Sequence, residues 1–330
     1  MTSFYITSLS ERNGKTMLAA GLGKTWLDSG KKIGYLKLVT SGQTGFEKEV
    51  LFIQKVLGLT EPLETLTVVT DESGSSVQTA LGRMQDKDIV IIEGLPLKVS
   101  GTIIKNLNAR VLAVHDYALS LTDALPEYKK ITSFLVGVVL NKVPRNKVER
   151  LNSAFKTELS SFDISYLGAI PEDRILMCLS VGDLAEAIKG KILNSAEKSA
   201  DLVENIMMGS STFDRGAAYY NRKNNKAVIL WGERPGFRKA VVSNLQLAAL
   251  QTSSRCLVVS AGAAPVPAVL QKANEQKVPV ISAPGSIPDI VSALEKSMPG
   301  LRFNQEQKIP RLLEVLRANL DIARLSQRLN

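Results

Sequence analysis

The stretch Phe4-Tyr5-Ile6-Thr7-Ser8-Leu9-Ser10-Glu11-Arg12-Asn13-Gly14-Lys15-Thr16 decides the fold of the amino-terminal half of this 330-residue chain. Residues 4–8 form a short extended segment, and the residues after the stretch place Leu18, Leu22 and Trp26 on one helical face. The pattern therefore predicts a strand, a glycine-containing turn and a helix that ends near Gly30.

The turn has the chemistry of a phosphate-binding loop. It offers backbone N–H groups, the positive end of a helix dipole, the Lys15 ammonium for outer phosphates and the Thr16 hydroxyl for Mg²⁺. The usual spacing G-x-x-x-x-G-K-[ST] fails, because Leu9 stands five residues before Gly14. A loop longer by one residue would begin at Ser8. A helix that merely happens to begin with Gly-Lys-Thr is the alternative.

The chain goes on alternating strands and helices. Short apolar runs predict strands at 32–39, 89–92, 111–114, 135–140 and 166–170, and the spacing predicts helices at 47–57 and 181–188. Near-continuous apolar strands separated by helical segments are typical of a parallel sheet covered on both faces. We therefore expect an α/β fold of this kind over residues 1–190.

A second, smaller α/β domain is expected over residues 203–330. The chain turns polar over 189–202, which is typical of a linker, and about four further strands alternate with helices after it. Over 305–329 the apolar residues recur at helical spacing. This carboxy-terminal helix should bury one face against its own domain or a partner chain.

Composition excludes several classes of protein. No apolar stretch approaches the roughly 18 residues of a membrane span, and charged residues interrupt the amino terminus, so we expect a cytoplasmic protein without an anchor. The net charge of +9 (41 − 32) is dispersed, which disfavours nucleic-acid binding and suits a small polyanion such as ATP. Cys178 and Cys256 form no CxxC pair, and the single histidine, His115, disfavours a His-based metal site.

Four motifs, taken in order, resemble those of dethiobiotin synthetase. Residues 8–16 are similar to that family's longer phosphate loop, Gly-Thr-Asp-Thr-x-Val-Gly-Lys-Thr, and 34–42 to its Gly-x-x-Lys-Pro-Val-x-Ser-Gly. Residues 90–94 are similar to its Val-x-x-Glu-Gly, and 138–144 to its strand that ends in Asn. The resemblance covers residues 1–188 and implies a P-loop NTPase-like nucleotide-binding domain.

The rest of the chain resembles a different grouping. Residues 167–174 and 227–234 are similar to the N-terminal regulatory half of long bacterial phosphate acetyltransferases. In those proteins a dethiobiotin synthetase-like domain precedes a DRTGG domain. The acetyltransferase domain itself has no counterpart in this sequence, so that activity is not carried over.

The resemblance implies a nucleotide site formed by Asn13, Gly14, Lys15, Thr16 and Asn141. In this site Lys15 would contact the β and γ phosphates and Thr16 the metal. Asn141 would recognise adenine through its side-chain amide. An asparagine that only shapes a turn is the alternative for position 141.

Charged residues near strand ends supply the remaining candidates. Lys37 should lie at the ligand-binding edge of the sheet, where its ammonium could neutralise a phosphoryl group in transfer, and Ser41 could donate to the same oxygens. Glu93 ends an apolar strand, where a carboxylate is costly to bury without a cation such as Mg²⁺. Glu49 is a second candidate metal ligand, at a position where the family usually has Asp. A solvent-facing Lys37 and a capping or surface Glu49 are the alternatives.

Three positions depart from the family pattern. Leu38 replaces a proline, which is a mild change. In the loop, Ser8 replaces the first glycine and Glu11 stands where the family has a threonine. A carboxylate in an anion-binding loop repels the ligand unless it turns outward or pairs with Arg12. These changes favour weak nucleotide affinity, or binding without turnover.

Two other segments could bind ligands. Residues 232–236, Gly-Glu-Arg-Pro-Gly, follow a strand and precede a helix, as in an anion site, although a simple turn with a Glu-Arg pair is the default. His115 could hydrogen-bond near the first site, and we favour a structural role for it.

Two classes of function survive. The first is a regulatory, nucleotide-sensing module in which Mg²⁺-ATP or a related effector biases the two domains and the tail helix engages a partner or a second copy, so we expect a homo-oligomer. The second is an ATP-dependent ligase or cyclase of the dethiobiotin synthetase type, which activates an amine or carboxylate substrate through an acyl or carbamoyl phosphate. The altered loop favours the first class, whereas Lys15, Thr16, Lys37 and Glu93 keep the second open.

Overall fold

The computed structural model describes residues 1–71, 73–209, 216–232, 239–297 and 304–329. The chain divides into two compact units. Unit 1 consists of Met1–Leu176 together with the tail from 304 onward, and unit 2 consists of the described residues that begin at Met177.

Unit 1 is built on a parallel sheet. Its seven strands are β1 (Thr2–Ser8), β2 (Ile33–Val39), β3 (Thr67–Val69), β4 (Ile89–Glu93), β5 (Arg110–Asp116), β6 (Leu135–Val143) and β7 (Tyr166–Pro171). Their order is β3-β2-β4-β1-β5-β6-β7, and every neighbouring pair is parallel. The order in which successive strands are added to the sheet changes direction beside β1. In open α/β sheets, ligands bind at the carboxyl ends of the strands near such a point.

Helices connect these strands and cover the sheet. They are α1 (Lys15–Asp28), α2 (Glu47–Leu57), α3 (Leu63–Leu66), α4 (Ser75–Gly82), α5 (Leu97–Leu107), α6 (Leu121–Lys129) and α7 (Val148–Ser160). Every residue of β2 and β4 is buried, as expected for strands covered on both faces. The predicted α/β class with a parallel sheet is confirmed.

Unit 2 has a smaller α/β fold. Its strands are β8 (Leu179–Ser180), β9 (Lys191–Ile192), β10 (Leu202–Val203), β11 (Asn205–Met208), β12 (Lys226–Leu230), β13 (Ser254–Val259) and β14 (Val280–Ser282). Its helices are α8 (Val181–Ala187), α9 (Ala217–Tyr220), α10 (Lys239–Leu250), α11 (Pro267–Gln276) and α12 (Ile287–Ser297). In the described residues, the sheet order is β11-β12-β13-β14-β9, parallel except for the β14–β9 pair, and β8 pairs with β10 separately.

The unit boundary differs from the predicted one. The helix expected over 181–188 is α8 of unit 2 rather than the last element of the first sheet domain. The expected linker over 189–202 contains β9, a two-residue antiparallel strand on the edge of the unit 2 sheet. So short a strand has no apolar run of its own, and its pairing with β14 is visible only in the folded chain.

The carboxy-terminal tail belongs to unit 1. It forms α13 (Ile309–Asn319) and α14 (Ile322–Gln327), two helices where the spacing predicted one. Gly21 of α1 leaves the room that Leu312 and Leu316 occupy. The helix breaks after Asn319, where the chain runs against the backbone of Gly168 in β7. The tail was expected with the second domain, and the apolar face that sequence analysis identified packs on the first.

The isolated residues have simple structural roles. Cys178 and Cys256 are buried thiols, and burial raises the pKa of the Cys256 thiol to about 12. His115 is buried with one ring nitrogen 2.9 Å from the Tyr128 hydroxyl oxygen and the other 3.2 Å from the Leu119 carbonyl oxygen. Over the part of the chain that the structure describes, the helices are too short or too polar for a membrane span.

Leu316→Ala should destabilise unit 1 by about 2 to 5 kcal/mol, because removing a fully buried leucine side chain leaves a cavity beside α1. The free energy of unfolding is measured in urea from Trp26 fluorescence in a Trp231→Phe background, since Trp26 donates to Ser326 Oγ at 3.0 Å. Leu313→Ala, on the same helix but only half-buried, is the control and should cost less. An unchanged Trp26 transition in Leu316→Ala would show that the tail does not stabilise unit 1.

Candidate functional site

The loop between β1 and α1 has a backbone that requires glycine at position 14. Gly14 has φ +90°, in the left-handed region, and a Cβ atom there would overlap the Asn141 amide. Asn141 Nδ2 donates to the carbonyl oxygen of Asn13 at 2.9 Å, which ties the loop to β6. The conformation of the loop therefore depends on its contact with Asn141 of β6.

Lys15 begins α1 beside the replaced glycine position. Its Nζ donates to Ser8 Oγ at 3.1 Å, and Ser8 Oγ in turn donates to the Ser10 carbonyl oxygen at 2.5 Å. Burial lowers the pKa of Lys15, partly opposed by the Glu93 carboxylate. Ser8, where the resembled family has glycine, thus holds the lysine that should reach a phosphate.

Glu93 lies at the centre of a buried polar cluster. The residue is only 3% exposed. Its Oε1 accepts from Thr16 Oγ1 at 2.7 Å and from Lys37 Nζ at 2.6 Å, and its Oε2 accepts from the Tyr35 hydroxyl at 2.7 Å. Burial by itself would raise the pKa of Glu93, but the Lys37 ammonium and the hydrogen bonds outweigh it and the pKa is lowered.

Lys37 is shared between two carboxylates. It is 7% exposed, and its Nζ also lies 2.8 Å from Glu49 Oε2 on α2. Burial alone would lower the pKa of Lys37, but the charges of Glu93 and Glu49 raise it. The alternatives of a solvent-facing lysine and a surface glutamate are therefore wrong, because both side chains meet inside the site.

Tyr35 is a member of the cluster that sequence analysis missed. Burial and the neighbouring Glu93 raise the pKa of Tyr35 well above its usual value, so its hydroxyl stays protonated and donates. The signal that could have found it is strand periodicity, because Tyr35 stands two residues before Lys37 and faces the same side of β2. The prediction of a strand over 32–39 assigned Tyr35 no role of its own.

Asn141 lies inside a strand rather than in a turn. β6 extends to Val143, beyond the predicted end at residue 140, and Asn141 pairs with Asp116 in the β5–β6 register. Lys142 follows with φ +59° and places its Nζ 2.6 Å from Asp116 Oδ2. The side chain of Asn13 is buried and lies 3.0 Å from Ser10 Oγ. The alternative of a turn-forming asparagine is thus wrong.

Other predicted residues lie at the margin of the cluster or outside the described part of the chain. Ser41 is exposed on the loop after β2. Among the described residues, it forms no hydrogen bond with the Glu93 cluster. Glu11 is also exposed, and its carboxylate is close enough to Lys15 to favour the charged form of that lysine. In the second domain, 233–236 lie outside the described residues, so the anion site considered there has no structural account.

The arrangement combines anion-binding and oxygen-donor chemistry at one sheet edge. A loop of backbone N–H groups at a helix N-terminus lies above Thr16, whose hydroxyl is shared with a buried carboxylate. Among the described residues there is no group of three or more His, Cys, Asp or Glu side chains suited to a metal ion. A cation here would therefore need oxygen atoms from a bound ligand in addition to those of the protein.

A protein-family model described as an AAA domain matches residues 2–178, more than half of the chain. The chain belongs to this family. A second model, the DRTGG domain, matches residues 183–297. Together they confirm the expected architecture of a nucleotide-binding P-loop domain followed by a DRTGG domain.

Solved structures that match part of this chain share little sequence with it. The MinC:MinD cell division complex of Aquifex aeolicus is 20% identical, with a TM-score of 0.39 over 53% of this chain and 83% of that one. The CBS and DRTGG domains of the regulatory region of Clostridium perfringens pyrophosphatase, in complex with its activator diadenosine tetraphosphate, are 13% identical. Their TM-score is 0.31 over 57% of this chain and 73% of that one.

Lys37→Met should destabilise unit 1 by about 3 to 5 kcal/mol near neutral pH, because it leaves the Glu93 carboxylate buried without its cation. In the wild type the lowered pKa of Glu93 contributes stability above its ordinary value of 4.5, and this stability is lost as the pH falls. The difference between the two proteins should therefore shrink below that pH. Urea unfolding across a pH series measures it.

Lys24→Met is the matched control for this substitution. Lys24 forms an exposed ion pair with Asp28 at 2.7 Å on α1, so its loss should cost about 0 to 1 kcal/mol. Equal losses for the two variants, or a Lys37→Met loss that is the same on both sides of the titration, would contradict a buried ionic cluster.

Proposed function

We propose that this chain binds Mg²⁺-ATP at the β1–α1 loop and acts as a two-domain, nucleotide-sensing regulatory module. The observation that carries the proposal is the placement of Lys37 between Glu93 and Glu49, at 2.6 and 2.8 Å. A cation that stabilises a phosphoryl group in transfer needs an uncompensated charge facing the substrate. Here two carboxylates already neutralise it, which favours binding over turnover.

The residues fit a nucleotide and its metal ion. Lys15 would bind the outer phosphates together with the backbone of Asn13 and Gly14, and Thr16 with Glu93 would supply oxygen ligands of the kind that Mg²⁺ prefers. When bound, the metal would neutralise charge on the phosphates. Glu49 would serve as a further oxygen ligand beside them.

Binding would rearrange hydrogen bonds that the structure already contains. Lys15 must leave Ser8 to reach a phosphate, whereas the Thr16 hydroxyl can go on donating to Glu93 while its lone pairs face a metal. Such exchange of partners is the local event from which a regulatory signal can begin.

An ATP-dependent ligase or cyclase of the dethiobiotin synthetase type is the second candidate. The observation in its favour is that Lys37 lies at the carboxyl end of β2 with a raised pKa, so it remains charged beside the proposed phosphates. An amine or carboxylate substrate would then be activated as a carbamoyl or acyl phosphate. Ser41, the other candidate catalytic residue, is exposed and would have to move toward the loop.

Lys15→Ala should abolish or weaken Mg²⁺-ATP binding at least tenfold, because it removes the cation that the loop presents to the phosphates. Isothermal titration calorimetry of the full chain measures the affinity. Lys24→Ala removes an exposed lysine from the same helix and should bind like the wild type.

A phosphate-release assay with candidate amines and carboxylates accompanies this titration. Lysine-dependent binding without release supports the regulatory module, whereas substrate-dependent release supports the ligase. No binding by the wild type, or equal binding by Lys15→Ala, would remove both.

Asn141→Ala should lower the affinity for ATP about tenfold and reduce the preference for ATP over GTP, if the Asn141 amide recognises adenine. Calorimetry with both nucleotides is the measurement. Equal losses for ATP and GTP would show instead that Asn141 acts only by holding the Asn13 backbone.

The homo-oligomer expected from the sequence stays a prediction.

A further inference from the structure

The hydroxyl of Tyr35 is buried deep in unit 1. The residue has 0% exposure, and the hydroxyl donates to Glu93 Oε2 at 2.7 Å. Burying a hydroxyl costs free energy unless it finds a partner, and a phenylalanine would fill nearly the same volume without that cost. The oxygen atom therefore points to a role beyond packing.

Strand register determines the side from which Tyr35 reaches the carboxylate. β2 pairs with β4 so that Lys37 lies opposite Glu93 and Tyr35 lies opposite Ile91. Tyr35 therefore lies two residues closer than Lys37 to the amino ends of the strands, in the interior of the sheet. Lys37 lies at the carboxyl ends, where the phosphate-binding loop begins.

The two oxygens of Glu93 consequently have different partners. Oε1 accepts from Thr16 and Lys37, whereas Oε2 accepts from Tyr35. A carboxylate bonded on one oxygen alone can turn about its last side-chain torsion, which is broad for glutamate. A donor on Oε2 restricts this rotation and keeps Oε1 beside the Thr16 hydroxyl.

We propose that Tyr35 is a positioning residue for the Mg²⁺-nucleotide, because it holds Glu93 so that Oε1 faces Thr16 at the metal-binding edge of the loop. The inference rests on the proposed binding of Mg²⁺-ATP and goes beyond it. Partners that orient a metal ligand without touching the metal are typically worth 10- to 100-fold in metal affinity. Tyr35 should contribute to that extent.

The test compares Tyr35→Phe with Tyr5→Phe by calorimetric titration of ATP, once with Mg²⁺ and once with EDTA. Tyr5 is an equally buried tyrosine on β1, on the other side of β4 from β2, and its hydroxyl lies 2.9 Å from Ser100 Oγ, outside the Glu93 cluster. Tyr35→Phe should keep the metal-free affinity and lose about tenfold or more of the gain that Mg²⁺ provides. Tyr5→Phe should keep both.

Comparing Glu93→Gln with Tyr35→Phe/Glu93→Gln keeps the test readable if Tyr35→Phe alone does not fold. The double variant removes the carboxylate whose Oε2 Tyr35→Phe would leave without a donor. Its Mg²⁺-dependent gain should equal that of Glu93→Gln, because Tyr35 acts only through Glu93. A further loss in the double variant would overturn the inference.

The outcomes separate this inference from the proposed function. A wild type that binds no ATP overturns the proposed function and the role of Tyr35 with it. A wild type with a Mg²⁺-dependent gain that Tyr35→Phe retains in full overturns the positioning role alone. The positioning role is also overturned if the Mg²⁺-dependent gain in affinity is lost in Tyr5→Phe as much as in Tyr35→Phe. Equal losses would indicate a general effect on the core.

Discussion

The carboxylate of Glu93 is buried, and a charge in that position costs several kcal/mol unless cations and hydrogen-bond donors surround it. Its partners come from separate parts of the sequence: Thr16 from the start of α1, and Tyr35 and Lys37 from β2. Meeting this one requirement brings the phosphate-binding loop, β2 and β4 together at the same sheet edge. Removing any partner leaves the others with an unsatisfied polar group, which explains why the cluster is a unit rather than a set of independent pairs.

The loop above this cluster is held by a second, independent contact. Gly14 adopts a left-handed backbone and so lets Asn141 approach and bond to the Asn13 carbonyl oxygen. The loop is thus supported from β4 on one side and from β6 on the other. A preformed anion-binding loop loses little conformational freedom when its ligand binds, which suits a sensor as well as an enzyme. Under the proposed function, what distinguishes the two is whether the charge of Lys37 is available to a substrate, and its pairing with Glu93 and Glu49 favours the sensor.

The carboxy-terminal tail adds a constraint on the whole chain. Arg311 of α13 donates to the buried carboxylate of Asp173 at 2.8 Å, next to the point where the chain leaves unit 1 for the DRTGG domain. The DRTGG match ends at residue 297, and the residues after this match complete unit 1, which contains the phosphate-binding loop. The second domain is therefore inserted into the chain of the first. In such an arrangement both connections of the DRTGG domain begin on the nucleotide-binding unit.

Sequence by itself determined the α/β class, the phosphate loop and the candidates Lys15, Thr16, Lys37 and Glu93, because strand hydrophobicity and a Gly-Lys-Thr turn are local properties. The place of the tail, the strand β9 and the contact of Tyr35 with Glu93 were decided only by tertiary structure. An amphipathic helix shows that it has a buried face but not what covers it, and a two-residue strand exists only through its partner. A tyrosine in an apolar strand has the same pattern as any core residue, until strand register places a carboxylate within reach of its hydroxyl.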